Sequence, residues 1–274
     1  MGRARPAAGN GASWETGILV ALSGWVELVR FIVSAKTKQL VKVAIVTAAS
    51  RGIGASCARL LHERGYRLAL MSRTPAIQTI ATELDALAVV GSVSNAKDLE
   101  RLVRQTVKRY GRIDAVVNNS GNPEGGEILA IPDAQWQEVF EMYFLSVVRM
   151  SRLVAPIMAA QGGGAVVNIS GSSALEPDRR FPVADTIRAS LAAYTKLFAQ
   201  TYAEKNVRMN CVAPSVVFDH DPAKVREDLR RELPMRRPAQ YREVAAVVAF
   251  LLSGEASYIS GETVRVDGGL SRGL

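Results

Sequence analysis

The sequence predicts an α/β fold, a single doubly wound domain with a parallel sheet. Two observations carry this. From residue 42 onward short β-branched runs alternate with amphipathic stretches of 10–20 residues, the pattern of βαβ units whose sheet is covered on both faces. No internal repeat or linker interrupts the alternation, and 274 residues suffice for one sizeable core.

The elements follow in order. KVAIVTA, 42–48, reads as a buried strand. A helix is expected at about 53–64, and RLALM, 67–71, as the second strand. The pair at 89–90 ends a third strand. DLERLVRQTVKRY, 98–110, places its apolar residues on one helical face. DAVVNN, 114–119, is a strand, and a long helix covers about 134–160. GAVVNIS, 164–170, is a strand, 182–204 a helix, VRMNCVA, 207–213, a strand, 241–252 a helix, and ETVRVDG, 262–268, the last strand.

Composition narrows the function classes. Hydrophobic residues make up 48% and net charge is +8, so the chain is globular. The basic residues are scattered; the densest group is Arg230, Arg231, Arg236 and Arg237. That reads as a solvated face, so no nucleic-acid partner is expected. Two cysteines and two histidines make neither a disulfide framework nor a metal-ligand cluster, so no metal is expected and a reduced, cytoplasmic setting is.

Residues 1–41 form an N-terminal extension to a domain spanning 42–274. The start, MGRARPAAGNGAS, is small and basic and reads as disordered. GILVALSGWVELVRFIVS, 17–34, is apolar with a polar stripe of Ser23, Glu27, Arg30 and Ser34. A central Arg costs ~2.5–3.5 kcal/mol on insertion scales, which argues against a span. The segment fits two readings equally: an amphipathic helix lying on a membrane surface, a partner or its own domain, through Trp25, Phe31 and Ile32, or an extension without function.

In a sheet of this kind ligands sit beyond the carboxyl ends of the strands, where strand order reverses. The first strand runs into TAASRGIGASCARLL. There Ser50, Arg51, Gly52, Ile53 and Gly54 open the helix, and the glycines let backbone amides approach a pyrophosphate at its positive end. This is the Rossmann-type arrangement, with Ala48 where the first glycine of the run ordinarily stands. The second strand ends in Met71-Ser72-Arg73. A carboxylate there would hold a ribose 2′-hydroxyl; Ser72, Arg73 and Arg51 suit a 2′-phosphate instead, favouring NADP over NAD.

With these residues the chain resembles the short-chain dehydrogenase/reductase family, most closely its 3-oxoacyl-(acyl carrier protein) reductase-like branch. The likeness covers about 42–270. TAASRGIG resembles TGxxxGIG. Asn118-Asn119-Ser120-Gly121 resembles NNAG, which steadies the sheet and lines the cofactor. GAVVNIS resembles the strand leading to the catalytic serine, VRMNCVAPSVV resembles RVNxVxPGxI, which closes over the nicotinamide, and SGETVRVDGG the C-terminal segment. The resemblance adds Val93, Asn118, Ser120, Gly121, Pro214 and Val217 to the expected cofactor contacts. It also implies a homodimer or homotetramer paired through the helices at 134–160 and 182–204, with Val139, Leu145, Val148, Leu191, Leu197 and Phe198 to spare.

The family's catalytic Asn, Ser, Tyr and Lys fall here on Tyr143, Gly171, Ala184 and Arg188, so all four differ. The aspartate expected near the adenine is Ser92, and the glycine after Pro214 is Ser215. Alanine has no proton to give. Arg188 is a poor acid but keeps the reach of a ribose clamp. Two readings fit Tyr143: a relocated proton donor, its pKa lowered by Arg188, or an aromatic filling the space left by Ala184 and Gly171, the commoner role of a buried ring. Ser172, flanked by Ser170 and Ser173, is the candidate to hydrogen-bond a substrate carbonyl. Asp185 adjoins the site, and His220 lies in the segment that lids the substrate by resemblance.

The expected function is an NADP-dependent oxidoreductase reducing a carbonyl or quinone-type small molecule with a non-standard donor. Two others stay open: an inactive NADP-binding sensor or hetero-oligomer partner, and non-redox chemistry on the same scaffold.

Overall fold

A computed structural model describes residues 41–219 and 224–273. The extension, with 17–34, and His220 lie outside the described residues. The body contains one seven-stranded sheet, all parallel, in the order β3-β2-β1-β4-β5-β6-β7. The strands are β1 (Val43–Thr47), β2 (Arg67–Ser72), β3 (Leu87–Val90), β4 (Ala115–Asn118), β5 (Gly164–Ile169), β6 (Val207–Pro214) and β7 (Thr263–Val266). All five residues of β1 are buried, which is why it reads as a continuous apolar run rather than an alternating one. Strand order reverses between β1 and β4, so the crevice for a ligand opens there.

The helices that frame the crevice are α1 (Gly52–Glu63), α2 (Ile77–Glu83) and α3 (Ala96–Tyr110). α3 shows the expected amphipathic logic. It buries Leu99, Leu102, Val103, Thr106 and Val107, is capped by Asn95, whose side chain accepts from Lys97 N, and ends on Gly111 at φ +76°. α2 and a six-residue helix α7 (Glu227–Glu232) have no counterpart in the sequence expectation. α8 (Tyr241–Leu252) is expected with these bounds.

The long helix expected at 134–160 is not uniform. α4 (Asp133–Phe140) passes into a π-helical turn, Glu141–Leu145, and then α5 (Ser146–Ala160). A π turn holds one residue more than an α turn and re-aims the side chains it carries; Tyr143 is in it. α6 (Pro182–Tyr202) begins on a proline at its first position and packs against that turn.

Half of the apolar positions expected to be spare at an interface are not, while Leu145 and Val148 are half-buried. Val139, Leu191 and Phe198 are buried within the chain, because those faces of α4 and α6 meet the core. Leu197 and Phe140 are exposed. An aromatic row, Phe140, Phe144, Tyr194, Phe198 and Tyr202, runs along the flank, each ring in contact with the next. Both cysteines, Cys57 and Cys211, are free and buried.

Candidate active site

The β1–α1 turn fits a dinucleotide. Arg51 stands at the N-cap of α1 without a side-chain cap, and the first turn carries no acidic residue, leaving amide donors and the positive helix end for an anion. Gly52 sits at φ +60°, and a β-carbon on Gly54 would lie 2.4 Å from Ala48 O, so only glycine lets α1 approach β1 this closely. Ala48 holds φ +46°: it keeps the left-handed conformation of the missing glycine at the cost of steric strain.

Other expected cofactor residues stand at and just beyond the ends of β2 and β4. Ser72, buried at the end of β2, donates to Thr74 O at 3.0 Å. Arg73 is exposed and its Nη2 comes within 3.9 Å of a β-carbon built on Gly121, spanning from β2 to the β4 loop. Asn118 Nδ2 donates to Asn168 Oδ1 at 2.9 Å, and Asn168 Nδ2 to Thr195 Oγ1 at 3.0 Å, so Asn118 ties β4 to β5. Val93 and Ser120 border a crevice beside Asn118. Where an aspartate is expected at Ser92, a carboxylate arrives from α3 instead: Asp98 Oδ2 accepts from Ser92 N at 3.0 Å.

Beyond this crevice lies a cavity of about 380 Å³. Tyr143, Ser172, Ala184 and Arg188 reach it from three elements, with Ile53, Ser120, Pro214 and Val217 on the cofactor side. The four family catalytic positions form one interlocked group. Arg188 Nη2 donates to Tyr143 Oη at 2.9 Å and to Asn122 Oδ1 at 3.2 Å. Tyr143 Oη donates to Asn122 Oδ1 at 3.4 Å, and the guanidinium carbon stands 4.8 Å from the Tyr143 ring centre. Ala184 packs with Tyr143, Val139, Val183 and Ile187, so the tyrosine also fills space as a core residue.

The expectation that Arg188 lowers the Tyr143 pKa gives way to burial. Desolvation of the phenolate, the larger effect, raises the pKa above its ordinary 10, while Arg188 pulls it down by charge and hydrogen bond and Asp185 adds a small upward push. Tyr143 therefore keeps its proton throughout the neutral range.

Asp185 is buried behind the arginine. It accepts from Ser173 Oγ and, at 2.9 Å, from Asp178 N, with Arg188 Nη1 3.8 Å away. Ser173 is thus committed to Asp185, whereas Ser172 opens a short 3₁₀ turn on the cavity wall. One residue escaped the sequence reading, and another was named there only as a neighbour of Ser172. Asn122 bridges Tyr143 and Arg188 from an irregular loop whose course no pattern announces. Ser170, expected to flank the site, is buried, and its hydroxyl finds no partner among the described residues.

The chain matches, over residues 47–271, a family model described as enoyl-(acyl carrier protein) reductase. It is 36% identical over 242 residues to human dehydrogenase/reductase SDR family member 4, covering 83% of this chain and 87% of that protein. It is 34% identical over 247 residues to the 7alpha-hydroxysteroid dehydrogenase of Bacteroides fragilis, covering 84% and 94%. Among solved structures, acetoin dehydrogenase from Enterobacter cloacae superposes with a TM-score of 0.80 at 28% identity, covering 85% of this chain and 96% of that one. L-Sorbose reductase from Gluconobacter frateurii, complexed with NADPH and L-sorbose, gives 0.78 at 27%, covering 86% and 98%. On the sheet, the glycine turn and these matches, the chain belongs to the short-chain dehydrogenase/reductase family of NAD(P)-dependent oxidoreductases.

Proposed function

We propose that the protein is an NADP-dependent reductase of a carbonyl or quinone-type small molecule, with Tyr143 as its proton donor. The observation that carries this reading is the 2.9 Å hydrogen bond from Arg188 to Tyr143 Oη on the wall of the cavity beside the glycine turn.

The amides of Gly52, Ile53 and Gly54 would hold the pyrophosphate, and Arg51 and Arg73 the 2′-phosphate. The absence of a carboxylate at the end of β2 supports NADP over NAD, as does the NADPH named with L-sorbose reductase. Bound NADPH would supply hydride to the substrate carbon. Tyr143, protonated at neutral pH, gives its proton to the developing alkoxide, and Arg188 then stabilises the phenolate left behind through the bond already in place. Ser172 hydrogen-bonds the substrate oxygen, and Arg188 doubles as the ribose clamp.

A second reading, an NADP-binding sensor or hetero-oligomer partner without turnover, draws support from the packing of Arg188 over Gly171 and of Tyr143 among apolar neighbours. Calorimetry with NADPH and NADPH oxidation across a panel of ketones and quinones separate the two. Binding with turnover that Tyr143→Phe abolishes supports the reductase; binding with no turnover on any substrate supports the sensor.

A further inference from the structure

Arg188 has more hydrogen-bonding capacity than the chain uses. A guanidinium carries five N–H donors. Among the described residues, Nη2 serves Tyr143 and Asn122, Nε is buried without a partner, and Nη1 has only Asp185, at 3.8 Å, too far for a hydrogen bond. Asp185 itself is already held by Ser173 Oγ and Asp178 N. The side chain is 16% exposed, so most of it is withdrawn from water.

A second unused donor lies next to it. Ser170, 4% exposed, has an unpartnered hydroxyl and belongs to the same cavity wall. The guanidinium lies against the adjacent Gly171: a β-carbon there would stand 3.4 Å from Arg188 Nε and 2.9 Å from Nη1. Buried polar groups are nearly always paired, and an unpaired one costs about 1–3 kcal/mol, so two at one cavity call for an acceptor from outside the chain. The other charged groups on the wall are engaged: Asp178 by Arg180, and Glu176 by the backbone N–H of Gly273.

We propose that Arg188 and Ser170 form a carboxylate subsite and that, on the reductase reading above, the substrate is a small oxo acid. Arginine matches the planar, two-oxygen geometry of a carboxylate better than any other side chain. Both residues line the cavity, and the unpartnered Nε–H and Ser170 hydroxyl are the donors such a carboxylate would take. A cavity of about 380 Å³ is at the small end of the ligand-site range, in keeping with a compact acid.

The test is calorimetry on the full chain saturated with NADP⁺, titrated with pyruvate and with butane-2,3-dione, its neutral isostere. Pyruvate is expected to bind at least about tenfold tighter. Arg188→Met should erase that preference, Arg188→Lys should keep part of it, and Ser170→Ala should weaken pyruvate by about tenfold while leaving the dione unchanged. Equal affinity for the two compounds, no pyruvate binding, or an unchanged preference in Arg188→Met overturns the subsite. Pyruvate that competes with NADP⁺ overturns it too, by assigning Arg188 to the cofactor alone. Ser170→Ala keeps the question open to measurement should the arginine variants fold poorly. NADPH oxidation with each compound separates the two layers. Turnover of the dione without a carboxylate preference sinks the subsite and spares the reductase. Arg188-dependent pyruvate binding with no turnover of either does the reverse.

Discussion

The guanidinium of Arg188 occupies the space a side chain at Gly171 would need: Nη1 stands 2.9 Å, and the guanidinium carbon 3.2 Å, from the β-carbon position there. Gly171 has φ −162°, open to any residue, so the constraint is space rather than backbone strain. Gly171→Ser alone should displace Arg188 from Tyr143 and cost ~1.5–3 kcal/mol, the worth of a charge-assisted hydrogen bond. Gly171→Ser with Arg188→Lys should lose less than the two single changes added together. A thermal-unfolding double-mutant cycle measures this coupling; strict additivity would show that the residues act independently.

Tyr143→Phe should lower turnover on a competent carbonyl substrate by ~10²-fold or more, with NADPH affinity nearly unchanged. Because burial raises the Tyr143 pKa, the donor stays protonated and its contribution to kcat should be flat from pH 6 to about 9, falling only above the ordinary tyrosine value of ~10. Stability follows the same sign. A raised pKa favours the protonated native state, so this stabilisation is complete below pH ~10 and is lost as pH climbs through the higher folded value. A pH–rate profile breaking near neutrality would remove Tyr143 from the donor role.

Arg73→Asp should shift cofactor preference from NADPH toward NADH. It removes a phosphate partner worth ~1.5–3 kcal/mol and installs a carboxylate suited to the 2′-hydroxyl. Calorimetry with both nucleotides reads it; a parent protein with equal affinity for the two would contradict the assignment of Arg51 and Arg73.

Ala48 pays for a left-handed backbone without glycine's freedom. Ala48→Gly should therefore stabilise the fold, by ~1 kcal/mol after the entropy cost of glycine in the unfolded chain is subtracted. Urea denaturation checks it, and a midpoint that falls would mean the turn depends on the alanine methyl.

Leu197 is 62% exposed on α6, beside the aromatic row ending at Tyr202. The protein is expected to form a dimer or tetramer through this flank, and Leu197→Asp should dissociate it. Light scattering at micromolar concentration decides; a monomeric parent would refute the interface.

The sheet was readable because parallel strands covered on both faces leave unbroken β-branched runs, as VAIVT does. The glycine turn was readable because φ +60° at Gly52 and the 2.4 Å approach at Gly54 allow little else. α2 and α7 were not, since six or seven residues are too few for a helical period to show. At the site, the family resemblance placed Tyr143, Gly171, Ala184 and Arg188 at the catalytic positions, and the structure gathers them. The sign of the Tyr143 pKa shift was out of reach, because charge can be counted in a sequence but desolvation cannot. Asn122, and the unpartnered state of the Ser170 hydroxyl, were out of reach for a related reason: an irregular loop and an orphaned hydroxyl are properties of packing alone.

The π turn at Glu141–Leu145 works as a vernier between two helical rulers. α4 and α5 each keep their own apolar phase against the core, and the widened turn absorbs the mismatch of one residue, about 100° of rotation. Removing a single residue from it is expected to regularise the helix and to shift Tyr143 around its axis, away from Arg188. Chain length in that one turn thus sets where Tyr143 stands relative to Arg188, independently of the helices on either side.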